Sequence, residues 1–286
     1  INSTETINKL VATLKNMLIE KTNLVGEQLL ERYNFQKTAY AMQFPFMSTN
    51  NLWKGLGSLA STDEVGDALN SGTLGIGFVG GSNAMYALFG YDHSVNKLAY
   101  QTLYESIQLM NTVVSDLKDK YHLNFSILAT PAESLAGRFA KIDQNKYGII
   151  ENVTDRDYYT NSFHIDVRNK ISMFEKIKLE APFHKITPGG HITYVELDGE
   201  AKKNVSVILK IVHEMKKQNV GYGSINHPVD RCKDCGFESI INDDCPICGS
   251  ENISRIRRIT GYLTGDLDSW NSAKKAEEKD RVKHSI

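Results

Sequence analysis

The sequence predicts an α/β fold, and three observations carry the prediction. Strand-like and helix-like segments alternate, and the order strand–helix–strand recurs along the chain. Apolar residues make up 41% of the 286 residues, enough for a sizeable core. All four cysteines fall between Cys232 and Cys248, which sets a small module apart from the rest.

The elements follow in order. Ile7, Leu10, Val11, Leu14, Met17 and Leu18 recur at helical spacing over residues 4–19, with Ser3 or Thr4 to cap the start. Asn23 opens a second helix to about Tyr33, and Pro45 in QFPFMSTNN breaks the pattern. Residues 70–90, NSGTLGIGFVGGSNAMYALFG, are glycine-rich and uncharged, as for a buried strand entering a loop and a short helix. Residues 95–117 read as a long helix with Val95, Leu98, Leu103, Ile107, Met110, Val114 and Leu117 inward. HLNFSILA alternates as a strand, and TPAESLAGRF follows, with Pro131 and Glu133 suited to a first helical turn. Residues 143–165 are polar and aromatic and read as a loop. HITYVEL at 191–197 is a strand; Val205, Ile208, Ile211, Val212 and Met215 mark a helix; VGYGSI at 220–225 is another strand. Beyond residue 271, SAKKAEEKDRVKH reads as a surface helix with a solvated face and a Lys274–Glu278 pair.

Charge narrows the classes. With 33 basic and 34 acidic residues the formal net charge is -1, so no polyanion-binding surface is implied for the chain as a whole. No apolar run reaches membrane-span length, and nothing at the start reads as a signal peptide. Clustered cysteines argue against a disulfide framework, so a cytoplasmic location is expected. The chain opens on isoleucine rather than methionine, which leads to the expectation of a truncated or processed polypeptide.

CKDCGFESIINDDCPICG is the strongest local motif. Two CxxC pairs, Cys232/Cys235 and Cys245/Cys248, supply four thiolates for one tetrahedral ion, each pair followed by a glycine, Gly236 or Gly249. Zinc in a closed structural site is the first reading; rubredoxin-like iron and a pair of redox dithiols are the alternatives. Such ribbons occur in nucleic-acid-binding proteins, and Arg231, Lys233, Arg255, Arg257 and Arg258 keep that alternative open, against Asp234, Glu238, Asp243 and Asp244 nearby. GIGFVG matches a dinucleotide fingerprint by letter, but Asp92 follows Gly80 too closely for the ribose contact. His164, His184 and His191 are assigned to packing or a polar network rather than to a metal. Thr130, Ser134 and Arg138, where a strand feeds a helix, form a candidate substrate-phosphate site. Gly261, between Thr260 and Tyr262, is by its local sequence an ordinary turn residue.

Taken together, RRITGYL, NHPVDRCKDCG, CPICG, HIDVRNKISMFEKIKLEAPFHKITPGGHITYVELDG, TPAESLAGRF and GTLGIGFVG resemble the carboxy-terminal part of anaerobic (class III) ribonucleoside-triphosphate reductases. The resemblance implies a glycyl-radical enzyme with an α/β barrel core. It divides the chain into a partial barrel core over 1–225, a four-cysteine zinc ribbon over 226–256, and a radical loop with tail over 257–286. It places the radical on Gly261, makes Thr260 and Tyr262 candidates for supporting the loop, and gives Cys232, Cys235, Cys245 and Cys248 to a structural Zn2+. It further implies ribonucleoside triphosphates as substrates, a radical-SAM activating enzyme, nucleotide effectors for the full enzyme and a homodimer, with no membrane or nucleic-acid partner. The departure is large. The family's thiyl cysteine and the amino-terminal ATP cone of many members have no counterpart here, so the expectation is a carboxy-terminal portion, inactive alone. Another glycyl-radical enzyme, such as an acyl lyase or diol dehydratase, is the nearest alternative, and the ribbon argues against it.

Overall fold

The computed structural model describes all residues except 1–3, 198–203, 228, 242, 261–262, 265–266, 268 and 285–286. The chain divides into two compact units. The first holds Ile1–Gly77, Tyr104–Leu128 and Ile186–Gly189; the second holds Phe78–Leu103, Ala129–Lys185 and Gly190–Ile286.

In the first unit, helix α1 (Thr4–Lys37) runs without the break expected near residue 20. Gly26 explains its packing: a Cβ there would lie 2.5 Å from Leu117 Cδ1, so the missing side chain lets α4 (Lys97–Tyr121) approach closely. Ile107, Met110, Val114 and Leu117 of α4 are buried as predicted, whereas Leu98 in its first turn and Val95, which precedes the helix, are exposed. Helix α2 (Pro45–Thr49) begins at the proline that breaks the sequence pattern. Ala41, Leu56, Val65 and Ala68 form a small separate core beside it, closed by Phe44 and Trp53.

Strand β1 (Leu74–Phe78) pairs with β2 (Phe125–Ala129) in a two-stranded sheet. After β1 the chain turns through Gly80 at φ +81° into α3 (Gly81–Phe89), the strand–turn–helix that the glycines predict. The amides at this turn are already used. Gly80 N donates to Thr160 O at 2.7 Å and Gly81 N to Ser162 O at 3.1 Å. Asp92 is likewise committed, accepting from Ser82 Oγ at 2.5 Å and from Ser94 N at 2.7 Å. The glycines therefore serve a close approach of the chain to itself. A Cβ on Gly81 would meet Ser162 O at 2.5 Å. Gly81→Ala is expected to destabilise the fold by about 1–3 kcal/mol, read as a lower denaturant midpoint; an unchanged midpoint would contradict this packing.

The second unit contains α5 (Ser134–Tyr147), α6 (Met173–Lys185), a β–α–β crossover and the cysteine module. Helix α5 takes the first residues of the expected 143–165 loop and stops at Gly148, φ +79°. Strand β3 (Thr193–Glu196) pairs in parallel with β4 (Gly223–Asn226) through α7 (Val205–Lys217), with Thr193 opposite Gly223 and Glu196 opposite Asn226. All four β3 residues are buried, as parallel strands covered on both faces are. Met173, Ile177, Val195, Leu197, Ile211 and Met215 make the core around it. The antiparallel sheet that follows has the order β6 (Glu238–Ser239), β5 (Val229–Cys232), β7 (Ile253–Arg258), β8 (Leu263–Thr264).

The α/β alternation is thus present. A barrel is not closed among the described residues: β1 and β2 have only each other, and so do β3 and β4.

The tail corrects the sequence reading. Helix α8 (Ser272–Asp280) is capped by Asn271, whose Oδ1 accepts from Lys274 N at 3.0 Å. Its inner face is buried, not solvated: Ala273, Lys274 and Glu277 are all inside. Ala273 packs on Gly137 of α5, where a Cβ would come within 2.5 Å of Ala273 Cβ. Lys274 pairs with Glu277, three residues on, and Glu278 pairs instead with Arg257. Helical rotation puts positions 274 and 277 on one stripe toward the core and leaves 278 beside the ribbon.

Candidate functional site

The cysteine module is built from two matching knuckles. In each, the glycine after CxxC is left-handed, Gly236 at φ +77° and Gly249 at φ +71°. Gly236 N donates to Cys232 O at 3.0 Å, and Gly249 N to Cys245 O at 2.8 Å. Cys232 N and Cys245 N close the loops onto Phe237 O and Ser250 O, each at 2.9 Å. These turns bring the sulfurs of Cys232, Cys235, Cys245 and Cys248 within 4.8 Å of one another. A tetrahedral ion with metal–sulfur bonds of about 2.3 Å needs sulfurs about 3.8 Å apart, so the four fit a shared metal. Amides of the first knuckle, Cys235 and then Asp234, lower the Cys232 thiol to about 6, whereas the Cys235 and Cys248 thiols are raised.

Strand β7 carries the module toward the predicted radical glycine. Arg257 and Arg258, adjacent on the strand, point to opposite faces and meet different acids. Arg257 forks onto the buried Asp230 of β5, Nη1 to Oδ1 at 2.5 Å and Nη2 to Oδ2 at 3.0 Å, and reaches Glu278 of α8 at 3.3 Å. Arg258 donates to Glu196 Oε1 at 2.8 Å and to Thr260 O at 2.7 Å, and its guanidinium carbon lies 3.4 Å from the centre of the Tyr194 ring. Arg281, just beyond α8, donates to Arg258 O at 2.8 Å, Ile259 O at 3.0 Å and Glu277 Oε1 at 2.7 Å. Thr260, also buried, donates from Oγ1 to Glu133 Oε1 at 3.2 Å. Antiparallel pairing of Arg258 with Leu263 leaves Ile259, Thr260, Gly261 and Tyr262 as the connection between β7 and β8. Gly261 and Tyr262 themselves lie outside the described residues.

Electrostatics hold this network ionised. Burial by itself raises the Glu277 carboxyl, but Lys274 and Arg281 outweigh it and bring the group down to about 2. Burial likewise opposes the charge on Glu196, and Arg258 and Arg281 reverse its effect and lower the carboxyl. Burial pushes the Tyr194 hydroxyl up to about 12. A second buried group lies alongside. Glu180 accepts from Ile165 N at 3.1 Å, pairs with Lys176 and sits 3.4 Å from His164 Nδ1. Asp166 is held between Arg156 and Arg168, each at 3.0 Å. A cavity of about 40 Å³ between the two groups is lined by Asn161, His164, Asp166, Arg258, Arg281 and His284, among others. That is room for a few waters and far too little for a nucleotide, whose sites run to about 300–1,000 Å³.

His284 ties the chain's end into the same network. Its N donates to Glu196 O at 2.9 Å, and its Nδ1 accepts from Glu196 N at 2.9 Å. Burial, followed by the charge of Lys176, lowers the imidazole from 6.5 to about 4. A depressed histidine stabilises the fold above its unfolded value. That stability drains as pH falls from about 6.5 to about 4, by about 3 kcal/mol over the window. Denaturant midpoints are expected to drop through this window in the wild type and to drop less in His284→Gln; parallel profiles would contradict the assignment.

The remaining predicted residues fall as follows. Ser134 opens α5 and Arg138 follows one turn later, both exposed, while the Thr130 hydroxyl is buried without a protein hydrogen-bond partner. Pro131 and Glu133 precede the helix instead of forming its first turn. His184 accepts from Gly221 N at Nδ1, at 3.1 Å, and its Nε2 lies 2.8 Å from Thr193 Oγ1. Both ring nitrogens are thus committed to a polar network, as expected, and the His191 ring lies against that of His184, tilted by 42°, at 4.2 Å between ring centres. Sequence reasoning missed Glu133, Glu196, Asp230, Glu277 and Arg281. The only signal was the closeness of Lys274, Glu277 and Arg281 at helical spacing, which reads equally well as a surface pattern.

Comparison with known proteins agrees with this geometry. Residues 4–284 match the sequence model of the family described as anaerobic ribonucleoside-triphosphate reductase. The anaerobic ribonucleoside-triphosphate reductase of Salmonella typhimurium is 34% identical over 247 residues, 79% of this chain and 33% of the relative. That of Enterobacteria phage T4 is 40% identical over 189 residues, 63% of this chain and 31% of the relative. The chain therefore spans about a third of the length of these relatives. Among solved structures, an anaerobic ribonucleotide reductase superposes with TM-score 0.68 at 19% identity, over 95% of this chain and 41% of the other. The Thermotoga maritima anaerobic ribonucleotide reductase with glycerol in the active site gives 0.62 at 18% identity, over 92% of this chain and 40% of the other. No described helix is long and apolar enough to cross a membrane. A match over nearly the whole chain, with relatives above 30% identity and a shared fold, settles the affiliation: the chain belongs to the anaerobic ribonucleoside-triphosphate reductase family.

Proposed function

We propose that this chain is the glycyl-radical portion of an oxygen-sensitive enzyme that reduces ribonucleoside triphosphates to deoxyribonucleoside triphosphates. Gly261 stores the radical, and Cys232, Cys235, Cys245 and Cys248 hold Zn2+. The observation that carries the reading is the fixing of the four residues before Gly261. Arg257, Arg258, Ile259 and Thr260 are each held, by side chain or carbonyl, through buried or part-buried polar contacts to four separate stretches of the chain. So firm an approach supports reading Gly261 as the radical site rather than as an ordinary turn residue. Its Cα can give up a hydrogen atom without a side chain in the way, and the electron left behind spreads over the flanking amide and carbonyl. In this reading Thr260 and Tyr262, the neighbours of Gly261 in sequence, support the loop, and a radical-SAM activating enzyme removes the hydrogen.

The ribbon's role in this reading is mechanical. Zinc would close four thiolates into a rigid base with no open position, and β5 and β7 transmit that rigidity to Arg257 through Asp230. A nucleic-acid role loses its best residues, because Arg257 and Arg258 are only 8% and 6% exposed and each is paired with an acid. Thr130, Ser134 and Arg138 remain the proposed contacts for substrate phosphate, with nucleotide effectors, the partial barrel and the homodimer belonging to the longer enzyme.

In this reading the thiyl cysteine belongs to the longer enzyme, since the four cysteines of this chain are the proposed zinc ligands. The full-length enzyme, activated anaerobically, is expected to form deoxyribonucleoside triphosphates and to lose that activity in air. The isolated 286-residue chain is expected to form none. Turnover by the isolated chain, or none by the activated full-length enzyme, would overturn the proposal.

A further inference from the structure

We propose that Arg281 is a positioning residue for the radical glycine, acting through the backbone carbonyls of Arg258 and Ile259; this rests on Gly261 being the radical site. Strand β7 ends at Arg258, and the carbonyls at and beyond its end need donors. Arg281 supplies two in one rigid fork, Nη1 to Arg258 O at 2.8 Å and Nη2 to Ile259 O at 3.0 Å. Glu277 Oε1 accepts from the same Nη2 at 2.7 Å and fixes the fork's orientation.

The other end of this clamp is embedded. Helix α8 packs Ala273 on Gly137 and offers Asp280 Oδ2 to the Tyr158 hydroxyl at 2.8 Å. Val282 N donates to Val167 O at 3.0 Å, and His284 pairs with the Glu196 backbone, whose side chain holds Arg258. The last dozen residues of the described chain thereby reach back over the segment leading to Gly261. Glycine itself imposes little on its own φ and ψ, so its orientation must come from its neighbours. The planar guanidinium matters as well as its charge. A lysine keeps the pairing with Glu277 but offers a point charge that does not span two successive carbonyls.

The test uses the full-length enzyme. Amide hydrogen exchange across Arg257–Thr260 is measured before activation, and radical spins per chain are measured by electron paramagnetic resonance after it. In Arg281→Lys, exchange of this segment is expected to be about tenfold faster with protection elsewhere kept, and the spin yield to fall about threefold or more. Lys279→Gln, an exposed change on the same helix that touches neither carbonyl nor the fork, is expected to stay within about twofold of wild type on both measures. Wild-type exchange and spin yield in Arg281→Lys would overturn the proposal. So would equal losses in the two variants, which would assign the effect to general helix stability. Gly261→Ala in parallel separates the two ideas: exchange in the unactivated protein reads the clamp alone, whereas a radical persisting in Gly261→Ala would refute the assignment of the glycine.

Discussion

Gly261→Ala is expected to fold, to keep its metal and to lose ribonucleotide reduction to below detection, more than about a hundredfold, after anaerobic activation of the full-length enzyme. The reasoning begins at the backbone. Alanine keeps a Cα hydrogen, but its methyl group occupies one approach to that hydrogen and narrows the accessible φ and ψ. The approach is already constrained, because Arg258, Ile259 and Thr260 are tied to Glu196, Arg281 and Glu133 and have little freedom to re-aim the chain. The fold should tolerate the change, since β7 ends at Arg258 and its pairing with β5 and β8 does not involve residue 261. Activity above one-tenth of wild type in a steady-state assay would remove Gly261 from the chemistry.

Loss of the metal is expected to be nearly as severe, by a different route. Cys232 and Cys245 are buried, and with Ile241 they form the module's own small core, helped by Phe237 and Ile253. So few apolar side chains cannot hold two knuckles and four short strands together, whereas a structural zinc site supplies about 10–16 kcal/mol of apparent binding energy. Cys245→Ser, or prolonged chelation, is expected to unfold residues 229–258 and to abolish the radical. The unit containing α1 is expected to stay folded. Metal analysis should give one zinc per wild-type chain and none in Cys245→Ser. A variant that lacks zinc yet keeps exchange protection at β5 and β7 would show that the ion is dispensable for the ribbon.

The sequence made some of this legible for clear physical reasons. The periodic stripe through Ile107, Met110 and Val114 marked α4, because that helix buries one face at its natural period, and the alternating Leu123, Phe125 and Ile127 marked β2, although Ser126 on the strand's other face is buried as well. The CxxC pairs exposed the metal cluster, since knuckle geometry is local in sequence. The glycines of GIGFVG signalled a tight turn correctly, but not what approaches it. Only the tertiary fold shows that Ser162 O lies against Gly81. The break expected in α1 failed because Asn23 looks like a helix start locally, while the packing of Gly26 against Leu117 favours one continuous helix. The tail was misread for the converse reason. Lys274, Glu277 and Arg281 have the composition of a solvated face, and nothing local says that Glu196, from 62 residues before Arg258, completes the charges around them. The Thr260–Glu133 contact, spanning 127 residues, was similarly beyond reach.

The central claim is that the unpaired electron resides on the α-carbon of Gly261. The most direct test is an electron paramagnetic resonance spectrum of the activated full-length enzyme, prepared with ordinary glycine and with glycine deuterated at Cα. A doublet from the single remaining α-hydrogen is expected to collapse on deuteration and to be missing from Gly261→Ala. A doublet indifferent to the label, or one of full intensity in Gly261→Ala, would place the electron elsewhere and contradict the account.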